Sequence, residues 1–249
     1  MSPDLSGRRL RVMDRVRRRA RGAASLAALA ALAALTLAAC SDGGTEGSEE
    51  TPEDVLAAAK VALDETSGVS LSLTTEKLPE DVDGVLEATG VATRAPAFEG
   101  DLVVLVNGLE VDVPVVSVDS TVYARLPFTR SFAEVNPADY GAPDPARLMD
   151  PDSGLSTWLT AAKGVEEGDR VRDGEVVLSS YTGTLPGRVV DASIPSADED
   201  ATFPATFRID EDGRLRSVVV SGPFYGPDGT VDYTVSVDDY GTDQDISAP

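Results

Sequence analysis

From residue 68 onward the chain alternates apolar and polar residues in short runs. Residues 231–238 read Val-Asp-Tyr-Thr-Val-Ser-Val-Asp, and residues 202–209 behave in the same way. Because successive side chains of a strand point to opposite faces, this alternation predicts strands with one buried and one solvent-facing side. Asn107-Gly108 and Asp212-Gly213 each separate two such runs, as tight antiparallel turns do. The pattern predicts about nine to eleven strands, and so long a sheet must curl or close.

Two segments have helical spacing instead. Thr51-Pro52-Glu53-Asp54 is typical of a helix start, and apolar residues recur on one face before Gly68. A second apolar face, formed by Leu155, Trp158, Leu159 and Ala162, ends before Gly164, and residues 147–149 are expected to form a short helical turn. Helices and strands are segregated along the chain, which predicts an α+β fold with helices covering the apolar face of a curled sheet.

The first forty residues predict export and lipid attachment. Eight Arg between residues 8 and 21 precede an uncharged Ala/Leu run over 23–39, as in a signal peptide. The run ends in Leu37-Ala38-Ala39-Cys40, and Cys40 is the only cysteine of the chain. This ending resembles the lipobox of bacterial lipoproteins, in which the signal peptide is cut just before the Cys and the Cys is acylated. The resemblance implies that residues 1–39 are a signal peptide and that residues 40–50 are an acylated cysteine with a flexible Gly/Ser/Thr/Glu-rich tether. A plain secretory signal is the alternative, and translation from Met13 would still leave Arg15 to Arg21 in place.

Charge and composition exclude several functions. The chain has 21 basic and 43 acidic residues. Eight of the basic and two of the acidic residues lie in residues 1–39, so the remainder carries a net charge of −28. So acidic a body repels phosphate, and we expect no nucleic-acid partner. The chain has no His and no second Cys, so Ser-His and Cys-His catalytic arrangements are excluded. Lys60, Lys77 and Lys163 do not occur in a Ser-x-x-Lys motif. The sequence predicts that the protein is not an enzyme.

No metal or cofactor site is expected either. Asp150-Pro151-Asp152-Ser153-Gly154 has an acidic loop composition but lacks the alternating ligands and the distal Glu of an EF-hand. Asp198-Glu199-Asp200 is interpreted as a solvated acidic loop. Calcium binding at these loops is the less favoured alternative, and a Gly-rich phosphate loop between a strand and a helix is absent.

The segment from Tyr140 to Leu155, Tyr-Gly-Ala-Pro-Asp-Pro-Ala-Arg-Leu-Met-Asp-Pro-Asp-Ser-Gly-Leu, resembles a stretch of the LppX/LprAFG lipoproteins of mycobacteria and their relatives. The shared pattern is Tyr-x-Pro-x-x-(Leu/Met)-Leu-Asp-Pro-x-x-Gly-Leu. The lipobox at Cys40, the helix start at Thr51 and the segment Gly183-Thr184-Leu185-Pro186 also agree. The resemblance assigns residues 51–245 to an LppX/LprAFG-like lipid-binding domain.

The resemblance implies a strongly curved antiparallel half-barrel, similar to the LolA/LolB carriers, with helices on its concave face. A hydrophobic cavity between the two is expected to hold the acyl chains of a glycolipid or an acylglycerol. The protein is expected to be anchored to the cell membrane on its extracytoplasmic side. There it would carry or present lipids across the envelope. Some members of the family are implicated in such transfer alongside an efflux protein of the major facilitator class, which is the partner that the resemblance implies. A lipid-anchored protein-interaction module without bound lipid is the alternative.

The candidate cavity wall consists of apolar residues at inward-facing strand and helix positions. These are Val69, Leu71, Leu73, Leu102, Val104, Val106, Leu155, Trp158, Leu159, Phe207, Val235 and Val237. The same residues would equally form an ordinary packed core, and the sequence pattern alone does not distinguish the two.

Overall fold

The computed structural model describes residues 50–140, 142–227 and 229–249. The predicted signal peptide, Cys40 and all of the tether except Glu50 lie outside the described residues. The described chain begins with helix α1, Pro52–Glu65. Thr51 caps it as the sequence predicts: the Asp54 N–H donates to Thr51 Oγ1, and the Thr51 N–H donates to Asp54 Oδ2 at 3.1 Å. Leu56, Ala59 and Leu63 form the buried face of α1.

One antiparallel sheet of eleven strands contains most of the remaining chain. Its strands are β1 (Gly68–Thr74), β2 (Gly84–Thr93), β3 (Ala97–Val106), β4 (Leu109–Val118), β5 (Thr121–Ala124), β6 (Ala133–Val135), β7 (Lys163–Asp173), β8 (Val176–Pro186), β9 (Thr202–Ile209), β10 (Leu215–Pro223) and β11 (Thr230–Asp238). The spatial order is β6-β5-β4-β3-β2-β1-β11-β10-β9-β8-β7. The pairing of β1 with β11 therefore joins the two halves of the chain, and β6 and β7 are the edges.

Short helices connect the two halves of the sheet. After β6 come two 3₁₀ helices, η1 (Pro137–Tyr140) and η2 (Pro145–Met149), and then α2 (Ser156–Ala161). Helix α3, Gly187–Ser193, follows β8 and was not predicted from the sequence. No helix of the described residues is long and apolar enough to cross a membrane.

The helices and the inner face of the sheet share one hydrophobic core. It contains Leu56 of α1, Trp158 of α2 and Val190 of α3 together with Val69, Phe207 and Val237 of the sheet. The expected α+β architecture, a curved open antiparallel sheet with helices on one face, is confirmed. Strand β5 ends at Ala124, because the chain turns at Leu126-Pro127, where the Thr129 N–H donates to Leu126 O.

Candidate functional site

An apolar cavity of about 70 Å³ lies between the inner face of the sheet and the helical segments. The sheet residues that border it belong to neighbouring strands in register. Leu102 of β3 is opposite Ala88 of β2, Ala88 is opposite Leu73 of β1, and Leu73 is opposite Val235 of β11. This row of four side chains forms the floor of the cavity.

The helical side of the cavity consists of the segment between β6 and β7 and the turn after α3. The remaining lining residues are Leu71, Ser72, Val85, Phe98, Ala142, Pro143, Pro145, Leu148, Leu155, Trp158, Ile194, Ser196, Tyr225 and Tyr233. Trp158 is fully buried, and its Nε1 donates to Ser193 Oγ at 3.2 Å. Ser193 Oγ in turn donates to the Ser153 carbonyl at 2.8 Å, so one hydroxyl connects α2, α3 and the loop before α2.

The segment over η2 covers the cavity and is fastened to the sheet by a carboxylate. Asp144 precedes η2, and its Oδ1 accepts the Ala146 N–H at 3.0 Å and the Ser117 hydroxyl at 2.6 Å. Ser117 lies on β4 and is fully buried. Hydrogen bonds to a charged acceptor are the stronger ones, so the Ser117–Asp144 pair holds Pro143, Pro145 and Leu148 against the cavity.

Two glycines and Phe98 define one end of the cavity. The Phe98 ring lies so close to Gly90 and Gly100 that a Cβ at these positions would be 2.5 Å and 2.8 Å from Phe98 Cζ. The ring therefore occupies the space that side chains would fill on an ordinary inner face. Substitution of Gly90 would displace the ring or the strand, since Glu99 O lies equally near.

The other end of the cavity carries hydroxyl groups. The Tyr233 hydroxyl donates to Val85 O at 3.0 Å, so at the 2.8 Å contact between the two tyrosine oxygens Tyr225 is the donor. Burial raises the pKa of Tyr233 above its ordinary value, with the neighbouring Tyr225 adding to the shift. Ser196 Oγ is buried and has no hydrogen-bond partner among the described residues. A buried hydroxyl that forms no hydrogen bond is uncommon.

Ser196 and Tyr225 lie at the same end because the main chain connects their loops. Ser196 occupies a turn closed by the Ala197 N–H and the Ile194 carbonyl, and the Asp198 N–H donates to Pro223 O at 3.0 Å. Pro223 ends β10, two residues before Tyr225. The cavity therefore combines an apolar floor with a polar end that offers one unpaired donor.

Six of the twelve predicted wall residues border this cavity: Leu71, Leu73, Leu102, Leu155, Trp158 and Val235. The other six do not border it: Val69, Val104, Val106, Leu159, Phe207 and Val237. Four of these six, Val69, Leu159, Phe207 and Val237, are buried in the filled part of the core, and Val104 packs against that core. Val106 is exposed beside the β3–β4 turn, because the inner face extends past the helices there. Alternation assigns a residue to a face but not to a filled or an empty part of that face.

Lys60 and Asp150, which the sequence offers as a candidate base and a candidate calcium ligand, form hydrogen bonds within the domain. The Lys60 ammonium donates to Asp64 Oδ2 at 2.7 Å, to Pro151 O at 2.8 Å and to Ser156 Oγ at 3.0 Å. All three donors of the Lys60 ammonium are therefore engaged in hydrogen bonds. Asp150 Oδ1 accepts the N–H groups of Asp152 and Ser153, so it closes its own loop.

The fold agrees with two solved mycobacterial lipoproteins. LprF from Mycobacterium bovis is 18% identical with a TM-score of 0.64, and the match covers 80% of this chain and 96% of that one. LppX from Mycobacterium tuberculosis is 15% identical with a TM-score of 0.58, covering 80% and 100%. At such identities the likeness concerns the fold alone.

Other comparisons add little. A LolA superfamily protein from Nitrosomonas europaea is 8% identical over 76% of this chain and 92% of its own, and its TM-score of 0.28 is too low to support a conclusion. Among curated protein sequences none matches this chain. The model of the LppX_LprAFG lipoprotein family, by contrast, matches residues 51–246 and so spans every described helix and strand. The chain is therefore a member of the LppX_LprAFG lipoprotein family.

Proposed function

We propose that this lipoprotein binds the acyl chains of a glycolipid or an acylglycerol between its sheet and its helices and carries or presents that lipid across the cell envelope. The observation that supports this most is the unfilled apolar row from Leu102 to Val235, which lies on the sheet side of the cavity, opposite Trp158. Each methylene that leaves water for such a site contributes about 0.8 kcal/mol.

The polar end matches an ester better than a free acyl chain. Ser196 Oγ is a donor without a partner in the part of the chain that the structure describes. An ester or glycosidic headgroup carries acceptor oxygens next to its acyl chains, whereas the hydrocarbon itself has none. Ser196 is therefore the residue that would orient the headgroup end of the lipid, while the apolar floor would contact the chains.

The cavity has to widen to take a long chain. An apolar cavity of about 150 Å³ accepts one benzene molecule, whereas the cavity here measures about 70 Å³. The segment from Ala142 to Met149 is part of the wall and belongs to no strand, and the Ser117–Asp144 hydrogen bond joins it to β4. We expect this segment to move outward when lipid enters.

The anchor and the partner belong to the same proposal. Acylation of Cys40 would hold the protein at the extracytoplasmic side of the cell membrane, and a flexible tether would let the domain reach a neighbouring site. Transfer alongside an efflux protein of the major facilitator class is what the family resemblance implies. The lipid-anchored interaction module without lipid remains the second candidate, and the small volume of the cavity favours it.

Titration of the soluble part, residues 41–249, with a fluorescent diacylglycerol distinguishes the two candidates. Leu73→Trp would fill the cavity floor, and we expect it to weaken binding at least ten-fold while stability stays near that of the unmodified protein. Val171→Trp adds the same indole on the exposed strand β7 and should bind normally. Equal, weak binding by all three proteins would favour the interaction module.

Ser196→Ala tests the polar end separately. Because the change removes a buried hydroxyl that has no partner, the free energy of unfolding should stay equal or rise slightly. Affinity for the diacylglycerol should fall several-fold, while affinity for an alkane chain without ester groups should not change. A parallel loss of both affinities would mean that Ser196 shapes the cavity rather than bonding the ester.

A further inference from the structure

The loop between β5 and β6 presents a phenylalanine entirely to solvent. Phe128 has a relative exposure of 107%, and its neighbour Leu126 is also exposed. The loop is nevertheless ordered by local bonds: the Thr129 N–H and Oγ1 both donate to Leu126 O, at 3.1 Å and 2.7 Å. At its base Phe132 packs against the outer-face cluster of Ala97, Val116 and Ile246. The aromatic ring is therefore held outward by its loop.

The backbone at Phe128 is unfavourable for this residue type. The hydrogen bond from Thr129 to Leu126 closes a turn with Pro127 in the second position and Phe128 in the third, where φ is +66°. Such a turn normally has Gly or Asn there, since a Cβ is disfavoured at positive φ. A bulky residue in a strained, exposed position contributes nothing to folding, and such outliers concentrate at functional sites.

The charge of this loop differs from that of the rest of the domain. The part of the chain after residue 39 is strongly acidic, yet no Asp or Glu occurs from Thr121 to Ala133. Within that stretch Arg125 and Arg130 flank Phe128 on either side. Arg125 is held by a cation–π contact, its Cζ 5.5 Å from the centre of the Phe132 ring. The loop is therefore a basic, aromatic segment on an acidic protein.

Further exposed apolar residues lie at the same end of the sheet. The Arg125 N–H donates to Pro114 O, so the loop continues past the β4 residues that lead to the β3–β4 turn. Val106 and Leu109 flank that turn and are exposed. Among the described residues, four of the seven exposed large apolar side chains thus lie at this end. The loops that carry Ser196 and Tyr225 also leave the sheet here, because strand register puts the start of β9 and the end of β10 at this end.

We propose that the loop from Arg125 to Phe132 is a membrane-contact site that inserts Phe128 into the surface of an anionic bilayer. Phe and Leu side chains partition into the headgroup region, and arginines beside them bind lipid phosphate. Anionic lipid repels the acidic residues elsewhere on the surface, so this loop is the part of the domain that would enter the headgroup region. This contact is separate from the Cys40 anchor and from lipid binding in the cavity.

Co-sedimentation with vesicles tests the proposal on residues 41–249, which lack the acylation site. This part contains every described helix and strand and the whole of the family match, residues 51–246. We expect binding to vesicles of phosphatidylcholine with one-third phosphatidylglycerol, and much weaker binding to pure phosphatidylcholine. Arg130→Gln and added salt should reduce only the anionic component. In Phe128→Trp, the new fluorescence should shift to the blue on vesicle addition.

Phe128→Gly is the decisive variant. Gly relieves the positive φ, so Tm should equal or exceed that of the unmodified protein, while vesicle binding should fall at least five-fold. Val61→Ala, at another exposed apolar residue, should bind as the unmodified protein does. Diacylglycerol binding should be unchanged in all of these variants, which separates this test from that of the cavity. The proposal is overturned if the unmodified protein binds neither vesicle type, or if Phe128→Gly binds vesicles as well as the unmodified protein does. If Phe128→Gly changes only the recovery of a protein in a pull-down, the loop contacts a protein partner and the proposal is likewise overturned.

Discussion

The indole nitrogen of Trp158 donates a hydrogen bond to Ser193 Oγ at 3.2 Å, across the contact between α2 and α3. Ser193 is buried, and its hydroxyl donates a hydrogen bond to Ser153 O. Neither side chain forms a hydrogen bond to the sheet. The two hydrogen bonds therefore connect α2, α3 and the loop before α2 above the cavity. The only Trp of the chain thereby contacts the cavity with its ring and fixes its position with its nitrogen.

Ser193→Ala should therefore destabilise the domain by about 2 kcal/mol, since the Trp158 N–H would be left buried without an acceptor. Urea unfolding followed by Trp158 fluorescence measures this directly. Ser196→Ala, three residues further on, removes a hydroxyl that bonds nothing and is the matched control. Equal stability of Ser193→Ala and the unmodified protein would mean that the Trp158–Ser193 bond does not hold the helices.

Ser117→Ala should loosen the segment that covers the cavity. It removes the hydroxyl that donates to Asp144 at 2.6 Å but leaves the Asp144 bond to Ala146 intact. A charge-assisted bond of this kind contributes about 1.5–3 kcal/mol, so stability should fall and uptake of a fluorescent acyl lipid should become faster in stopped-flow mixing. Ser70→Ala loses a comparable bond to Asp239 at the exposed end of β1 and should leave the uptake rate unchanged. Slower or equal uptake by Ser117→Ala would contradict opening at η2.

Two tyrosines, Tyr233 and Tyr240, make the stability of the domain decrease at alkaline pH. Burial raises the pKa values of Tyr233 and Tyr240 above the ordinary value, so both stay neutral in the folded state. In the unfolded chain they ionise near pH ~10, so stability is fully present below that pH and decreases as pH rises above it. In Tyr233→Phe the free energy of unfolding should fall less steeply between about pH 10 and 12. An unchanged slope, measured by denaturant unfolding, would mean that Tyr233 ionises in the folded protein.

Cys40→Ala tests the anchor. With the only thiol removed, we expect the protein to stay unprocessed or to be released, and metabolic labelling with a palmitate analogue should lose its signal. A mature-length Cys40→Ala chain that still fractionates with membranes would contradict acylation as the anchor. Such a result would also direct attention to Phe128 as a second membrane contact.

Much of the fold is predictable because burial follows the alternation. In β9 and β11 every second residue is buried, so the period of two is plain in the sequence. The alternation does not predict strand β2, because the inner face of this strand consists of Ala88, Gly90 and Ala92, which are too small to mark an apolar face. The alternation does not predict strand β7 either, because β7 is an edge strand in which only Val165 is buried.

The cavity is harder to predict than the sheet. Leu73 and Phe207 both face inward, yet Leu73 borders the cavity and Phe207 lies in the filled core. The difference arises from where the short helices end, which depends on tertiary packing. Ser196 and Tyr225 reach the cavity from loops, where no periodicity marks them. The unpaired Ser196 hydroxyl is visible only once all of its neighbours are in place.

The most direct test of the central claim is native mass spectrometry of residues 41–249 purified without detergent from a bacterium that makes acylated glycolipids, followed by solvent extraction. The proposed function predicts an acyl lipid bound one to one, present in the unmodified protein and in Val171→Trp and lost in Leu73→Trp although that variant remains folded. A protein that carries no lipid, in a preparation where Leu73→Trp also unfolds, would contradict it. The space between Leu73 and Trp158 would then be part of an ordinary packed core.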